Sequence, residues 1–378
     1  MNCTYQNICG GCPLRHLEAK EYYKTKTTSL QNTINRVNQN NIICKPLVCI
    51  SDGKRRRAEL AFELKKNKLV LGFNAAKTHD VIDIISCPAL IQNLNEILPA
   101  VRNFLYEFCL IKTSKKIKNK ITIDNIKKGD IFLTSAENGI DILIEVNATL
   151  TLEHRMCISS FACQYPQVIR MAVKYKSASS AEIILEKTPP VIIIGSYPIQ
   201  IPCGTFLQAS KEGELALITT VLQYIGSTHG NIADLFCGLG TFSYPLANNP
   251  AYTITALDSS GESLQYFQKN INALTIHNIF IKQRNLFKYP LDETELKGIN
   301  TVIFDPPRAG ASAQVKKIAA MNFKDKPQKI VAVSCNPHTF VNDANQLISG
   351  GYKIIEITPI DQFVYANHLE LVALFEKN

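Results

Sequence analysis

No apolar run in this 378-residue chain reaches the ~18 residues that suggest a membrane span. The opening residues, MNCTYQNICGGCPLRHL, lack the basic segment followed by an apolar one that marks a secretory leader. Membrane insertion and export are therefore not expected, and a cytoplasmic location is. Internal repeats and low-complexity linkers are missing as well. With 46% hydrophobic and 19% charged residues and a mean hydropathy of −0.01, the composition is that of a globular protein. Its length suits two or three domains of ~100 to 200 residues each.

Positive charge and cysteine are what the chain does have. The net charge is +9, and residues 1–130 hold 22 Lys and Arg against 11 Asp and Glu, so the excess belongs to the front third. Such asymmetry favours a polyanionic partner, because each neutralised phosphate releases counterions. Arg55, Arg56, Arg57 and the run KTSKKIKNK at 112–120 are the candidate phosphate contacts. Twelve cysteines without an export signal read as reduced thiols, metal ligands or nucleophiles, not as a disulfide framework.

Cys3, Cys9 and Cys12 form C-x5-C-x2-C, with Gly10 and Gly11 letting the backbone curl so that the sulfurs face one centre. Cys87, followed by a proline in DIISCPAL, is the candidate fourth ligand. Four thiolates suit zinc or an iron-sulfur cluster, and the spacing does not choose between them. Cys44 and Cys49 lie in an apolar stretch and are expected to be packed.

Residues 16 to about 40 read as an amphipathic helix with Leu17, Tyr23, Leu30 and Ile34 on its buried edge. Strand signals follow: a hairpin around Lys66-Asn67-Lys68, led by the arginine triplet, then segments broken by Asn-Gly and Pro-Pro. They predict an antiparallel sheet domain ending near residue 195. From about residue 213 strands and helices alternate, the signature of a doubly wound α/β sheet whose ligands sit beyond the carboxyl ends of the strands.

The polar residues fall at those ends. In DLFCGLGTF, Asp234 closes the first strand, and Gly238 and Gly240 let a ligand approach the backbone. A dinucleotide fingerprint would place a third glycine where Ser243 stands, so C-G-x-G favours S-adenosylmethionine. Asp258 ends the second strand, placed to accept from both ribose hydroxyls or to cap the next helix. In FDPPRAG two prolines fix Asp305 near cofactor and substrate, and Arg308 suits a phosphate or carboxylate. Cys335, in VSCNPHTF, ends a further strand. It is either core filler or a nucleophile for carbon 6 of uracil, which would make carbon 5 able to accept a methyl group. Glu370, just before the last apolar strand, is the candidate base for the carbon 5 proton, with His368 beside it. Cys237 reads as packed.

Together these motifs resemble the iron-sulfur 23S rRNA (uracil-5-)-methyltransferases over nearly the whole chain: the N-terminal cysteines with Cys87, KRRRAEL, GTFLQAS, DLFCGLGTF, LDSS, DPPRAG, SCNP and HLELVALF. The resemblance implies a 4Fe-4S cluster on Cys3, Cys9, Cys12 and Cys87. It implies S-adenosylmethionine on Gln208, Phe236, Asp258 and Asp305, with Cys335 as nucleophile and Glu370 as proton acceptor. It further implies 23S rRNA as partner, a flipped-out target uridine, and residues 1–195 as the cluster and RNA-recognition region ahead of a Rossmann-like class I methyltransferase domain at 196–378. A monomer with no obligate protein partner is expected. The chain departs from the family pattern in lacking a leading TRAM module, in Lys54 ahead of the triplet, in Asp258 where Glu is commoner, and in DQFVYANHLE before the base. A transfer-RNA substrate and a noncatalytic iron-sulfur RNA-binding protein are the alternatives.

Overall fold

The computed structural model describes residues 3–378, apart from residues 77, 118, 119, 177, 179, 228 and 229 and the side chains of residues 114–124. Part of the basic run at 112–120 therefore lies outside the described residues. The chain forms two compact units. One comprises residues 1–16, 51–192 and 200–210; the other comprises 17–50, 193–199 and 211–378.

The first unit is built on a seven-stranded sheet in the order Glu182–Glu186, Val168–Tyr175, Gly139–Val146, Lys128–Ala136, Arg57–Lys65, Lys68–Asn74, Val81–Asp83. The hairpin at Lys66 and Asn67 forms as expected, both residues taking positive φ as a tight two-residue turn requires. Helices Gln92–Leu110 and Leu152–Gln164 join their apolar residues to one core with the sheet, Phe104 and Phe161 stacking at 4.7 Å between ring centroids. The sheet is mixed, not antiparallel throughout. Helix Leu152–Gln164 acts as a crossover, so Val168–Tyr175 runs parallel to Gly139–Val146.

The second unit holds the doubly wound sheet. Its order is Ile43–Cys44, Tyr352–Asp361, Glu370–Lys377, Lys329–Ser334, Ile299–Phe304, Gly230–Leu235, Tyr252–Asp258, Ile279–Gln283, and Val48–Cys49 also pairs with Tyr352–Asp361. All pairs are parallel except those of Glu370–Lys377, which runs against both neighbours. The strand order reverses between Gly230–Leu235 and Ile299–Phe304, where such sheets open a crevice for ligands.

A single boundary near residue 195 does not describe these units. Helix Ala19–Ile34 packs into the second, with Leu30, Ile34 and Val37 in its core, and its buried edge carries Tyr22, while Tyr23 is 46% exposed. Residues 200–210 belong to the first, because two buried arginines hold their carbonyls. Arg56 Nε donates to Gln208 O (3.1 Å) and Arg170 Nη1 to Ile201 O (3.0 Å). Cys44 and Cys49, expected inside, are exposed on short edge strands; Cys237 is buried as expected. Among the described residues no helix is long and apolar enough to cross a membrane.

Candidate active site

Parallel strands leave their carboxyl ends on one edge of the sheet, and the reversed final strand begins at that same edge. Its register pairs Ser334 with Leu371, so Cys335 and Glu370 are the next residues on either side of the ladder. Asp305 follows Phe304 on the neighbouring strand, its N–H donating to Leu235 O (3.3 Å). The three groups lie within electrostatic reach. Burial, then the charges of Glu370 and Asp305, push the Cys335 thiol up to about 11, while Arg308 opposes them. Burial, then Asp305, pushes Glu370 up to about 8, against a hydrogen bond from Gln362 and the charge of Arg308. Glu370 is 5% exposed, so its carboxyl is held away from water next to a half-buried thiol.

The residues after Cys335 brace it. Asn336 caps helix Pro337–Ser349 by accepting from the His338 N–H (3.1 Å), and its Nδ2 donates to Arg308 O (2.9 Å), tying the loop after Cys335 to the Asp-Pro-Pro-Arg turn. Proline at the first helical position needs no donor there. Arg308 Nη2 lies 2.8 Å from His368 Nε2, and the His368 carbonyl accepts from Lys26 Nζ (2.6 Å). Lys26 is itself paired with Asp361 (2.7 Å), which also accepts from the Tyr22 hydroxyl. Lys26, Asp361, Tyr22 and Gln362 escaped the sequence reading. A Lys at a helical position spaced with Tyr22 and Leu30 was the available signal.

At the other side of the crevice the glycine turn is in place. Phe236 takes a positive φ of 61°, costly for a residue with a side chain, and Gly238 follows at 55° with open space where a Cβ would stand. Asp258 accepts from the Gly238 N–H (3.0 Å) and the Ser260 N–H (2.8 Å). Ser260, not Asp258, is the cap of helix Gly261–Ala273. Phe287, another residue missed from sequence, stacks 5.3 Å from Phe236 and is exposed. Two expected ligand contacts differ. Asp234 is 0% exposed: its carboxyl takes the Ser243 hydroxyl (2.6 Å) beneath the turn, and burial pushes it up to about 7. Gly240 serves packing, since a Cβ there would meet the Phe267 ring at 2.3 Å.

Gln208 and the four cluster cysteines belong to the first unit. Gln208 is buried. Cys87 is pushed up to about 11 by burial and by Cys12 and Cys3, and Cys9 is raised by burial and the same two neighbours. Among the described residues, no three His, Cys, Asp or Glu side chains are arranged to hold a metal ion, so the expected ligand set is not a closed coordination shell. Cys9 Sγ and Cys12 Sγ each have their own donor, Gly11 N (3.4 Å) and Arg15 Nη2 (4.0 Å). The arginine triplet also differs from expectation. Arg56 is 1% exposed and Arg57 half-buried, with burial lowering its proton affinity, so Arg56 does not reach a phosphate.

Comparison with known proteins gives a consistent picture. Residues 196–378 match the tRNA (Uracil-5-)-methyltransferase family model. An uncharacterized RNA methyltransferase of Agrobacterium fabrum is 32% identical over 98% of this chain and 82% of its own length. The 23S rRNA (uracil(1939)-C(5))-methyltransferase RlmD of Aliivibrio fischeri is 27% identical over 99% of this chain and 82% of its own length. Among solved structures, the tRNA (uracil-54, C5)-methyltransferase of Pyrococcus abyssi, in complex with S-adenosyl-L-homocysteine, shares the fold at a TM-score of 0.74 and 22% identity. That match covers 97% of this chain and 85% of that one.

Proposed function

Because this chain belongs to the S-adenosylmethionine-dependent RNA (uracil-5-)-methyltransferase family, we propose that it methylates carbon 5 of one uridine in 23S rRNA through a covalent cysteine adduct. The observation that carries this reading is the electrostatic contact of Cys335 with Glu370 at the edge of the sheet. Cys335 gives up its thiol proton to solvent, its Sγ bonds to carbon 6 of the flipped-out uracil, and the ring electrons move toward carbon 5 and the carbonyl at carbon 4. S-adenosylmethionine supplies the electrophilic methyl group that carbon 5 takes. Glu370 then removes the carbon 5 proton, the double bond re-forms, and Cys335 leaves as thiolate.

Arg308 favours the ionised forms of both Cys335 and Glu370, and so opposes the penalty of burying them. Asp258, braced on the glycine turn, keeps lone pairs for ribose hydroxyls. Phe236 and Phe287 offer an apolar wall for a purine, and the open space at Gly238 admits the ligand backbone. Asp305 completes the proposed set in this unit.

We assign a 4Fe-4S cluster to Cys3, Cys9, Cys12 and Cys87. The side chains do not form a closed ligand shell, and what supports the reading is their chemistry: Cys3 and Cys12 act electrostatically on both Cys9 and Cys87, and the latter two accept from backbone N–H groups, as cluster sulfurs do. The cluster would bind the N-terminal segment to the Cys87 turn as a staple and take no part in the methyl transfer.

Mapping 5-methyluridine in ribosomal and transfer RNA from cells with and without the gene tests the assignment. Loss of one 23S site is expected. Loss confined to transfer RNA would move the substrate to that class, and an unchanged map would remove the function.

A further inference from the structure

Resting on the RNA-methylation reading above, we propose that the groove between helix Ala19–Ile34 and the start of helix Pro337–Ser349 is the track for the RNA strand that flanks the target uridine. The groove encloses about 660 Å³ and lies wholly within the second unit. Its wall is the exposed flank of helix Ala19–Ile34 and the residues just beyond, running alongside the face that buries Tyr22, Lys26 and Leu30, with the buried Thr33 where the two meet.

The chemistry of that wall suits a phosphodiester chain. Lys24 and Arg36 stand toward its two ends, Arg36 Nη1 lying 3.2 Å from His338 Nδ1, and Thr28, Ser29 and Asn32 fill the space between. Cations would take phosphates, and short hydroxyl and amide groups would take sugar hydroxyls, which is how single-stranded RNA is gripped without reading its bases. Between Lys24 and Arg36 the lining side chains Thr25, Thr28, Ser29 and Asn32 are small and polar. Among the described residues no large apolar side chain lines the groove, whereas protein partners are held by buried aromatic or aliphatic anchors.

Position joins the groove to the reaction. Pro337 and His338, which close it, follow Cys335 by two and three residues. A strand held along the helix therefore arrives beside the nucleophile with its next nucleotide free to turn inward. This also relocates part of the RNA contact from the triplet 55–57, whose middle member is buried, to a helix in the methyltransferase unit.

The test compares Lys24→Ala/Arg36→Ala with the wild type in binding an oligouridylate across a salt series. Both side chains are exposed, and S-adenosylmethionine binding should be unchanged. The expected result is weaker binding and a logarithmic salt slope shallower by about 1.4, at ~0.7 for each single-strand phosphate that is no longer neutralised. Glu21→Gln, which removes an acid from the wall, should tighten binding. In the wild-type protein, 4-thiouridine in the oligouridylate should cross-link to residues 21–36 or 337–338. An unchanged slope, or cross-links confined to other segments, while the wild type still forms 5-methyluridine would overturn the groove and leave the function standing. A wild type that methylates no RNA would instead remove the function.

Discussion

Glu370 raises the proton affinity of the Cys335 thiol across the end of the antiparallel pair that joins their strands. Two acids in contact would be a poor design for holding charge, but they suit steps that occur in sequence. In the proposed mechanism Glu370, at about 8, ionises before Cys335, at about 11; the thiol proton is lost to solvent as the sulfur bonds to carbon 6, and the carboxylate takes the carbon 5 proton after methyl transfer, when the sulfur no longer carries a competing charge.

Glu370→Gln separates those steps. The amide cannot take the carbon 5 proton, but removing the charge that opposes thiolate formation helps Cys335 attack. A methylated protein-RNA adduct should accumulate as a slow band on a denaturing gel, with product release slowed by about 10²- to 10⁴-fold. Cys335→Ala should bind S-adenosylmethionine, form no band and make no 5-methyluridine. Normal product from either variant would sink the assignment of that residue.

The pH dependence has opposite signs for chemistry and for stability. Glu370 must be ionised to act as a base, so decay of the wild-type methylated adduct should speed up about tenfold per pH unit until about 8 and then level off. Between its ordinary 4.5 and about 8, the folded protein holds a proton on Glu370 that the unfolded chain has released. This group's contribution to stability is therefore full below 4.5, is lost as pH rises through about 8, and is gone above it. Quenched adduct decay and denaturant unfolding in matched buffers measure the two trends, and Glu370→Gln should flatten the stability trend between pH 4.5 and about 8.

The methyltransferase strands were legible because buried parallel strands end in turn residues, so LFCG, LDSS, FDPP and VSCNP mark both the strand ends and the crevice. The place of Cys335 and Glu370 at that edge of the sheet was legible for the same reason. Burial of charge was not. Arg56 and Lys26 look like surface cations in sequence, yet each is held inside by backbone carbonyls or a carboxylate far along the chain. Helix Ala19–Ile34 is mostly polar, so a one-residue error in its phase exchanged Tyr22 for Tyr23, and its place in the second unit depends on Asp361, more than 300 residues later. The parallel pair in the first unit was hidden because helix Leu152–Gln164 has little amphipathic pattern to announce a crossover.

Arg56 offers a contrast with the groove cations. Its side chain holds Gln208 O and is buried, so Arg56→Met should lower unfolding stability by about 1–3 kcal/mol through removal of the charged hydrogen bond. The salt slope of RNA binding should stay at the wild-type value, because the same number of phosphates is neutralised. A shallower slope with unchanged stability would return Arg56 to the RNA surface.

Lys26 and Asp361 form an ion pair in which both residues are at most 2% exposed. Lys26→Met leaves Asp361 buried, still accepting from the Tyr22 hydroxyl but without its cation, and takes the ammonium from the His368 carbonyl, two residues before Glu370. Breaking one side of a buried pair costs about 3–5 kcal/mol, whereas replacing both sides by apolar groups is often neutral. Lys26→Met should therefore lose about 3–5 kcal/mol in denaturant unfolding, and Lys26→Met/Asp361→Leu should recover most of it. If the double variant loses as much as the single one, the stabilisation comes from packing of the lysine stem, and the ion pair is not what holds the loop ahead of Glu370.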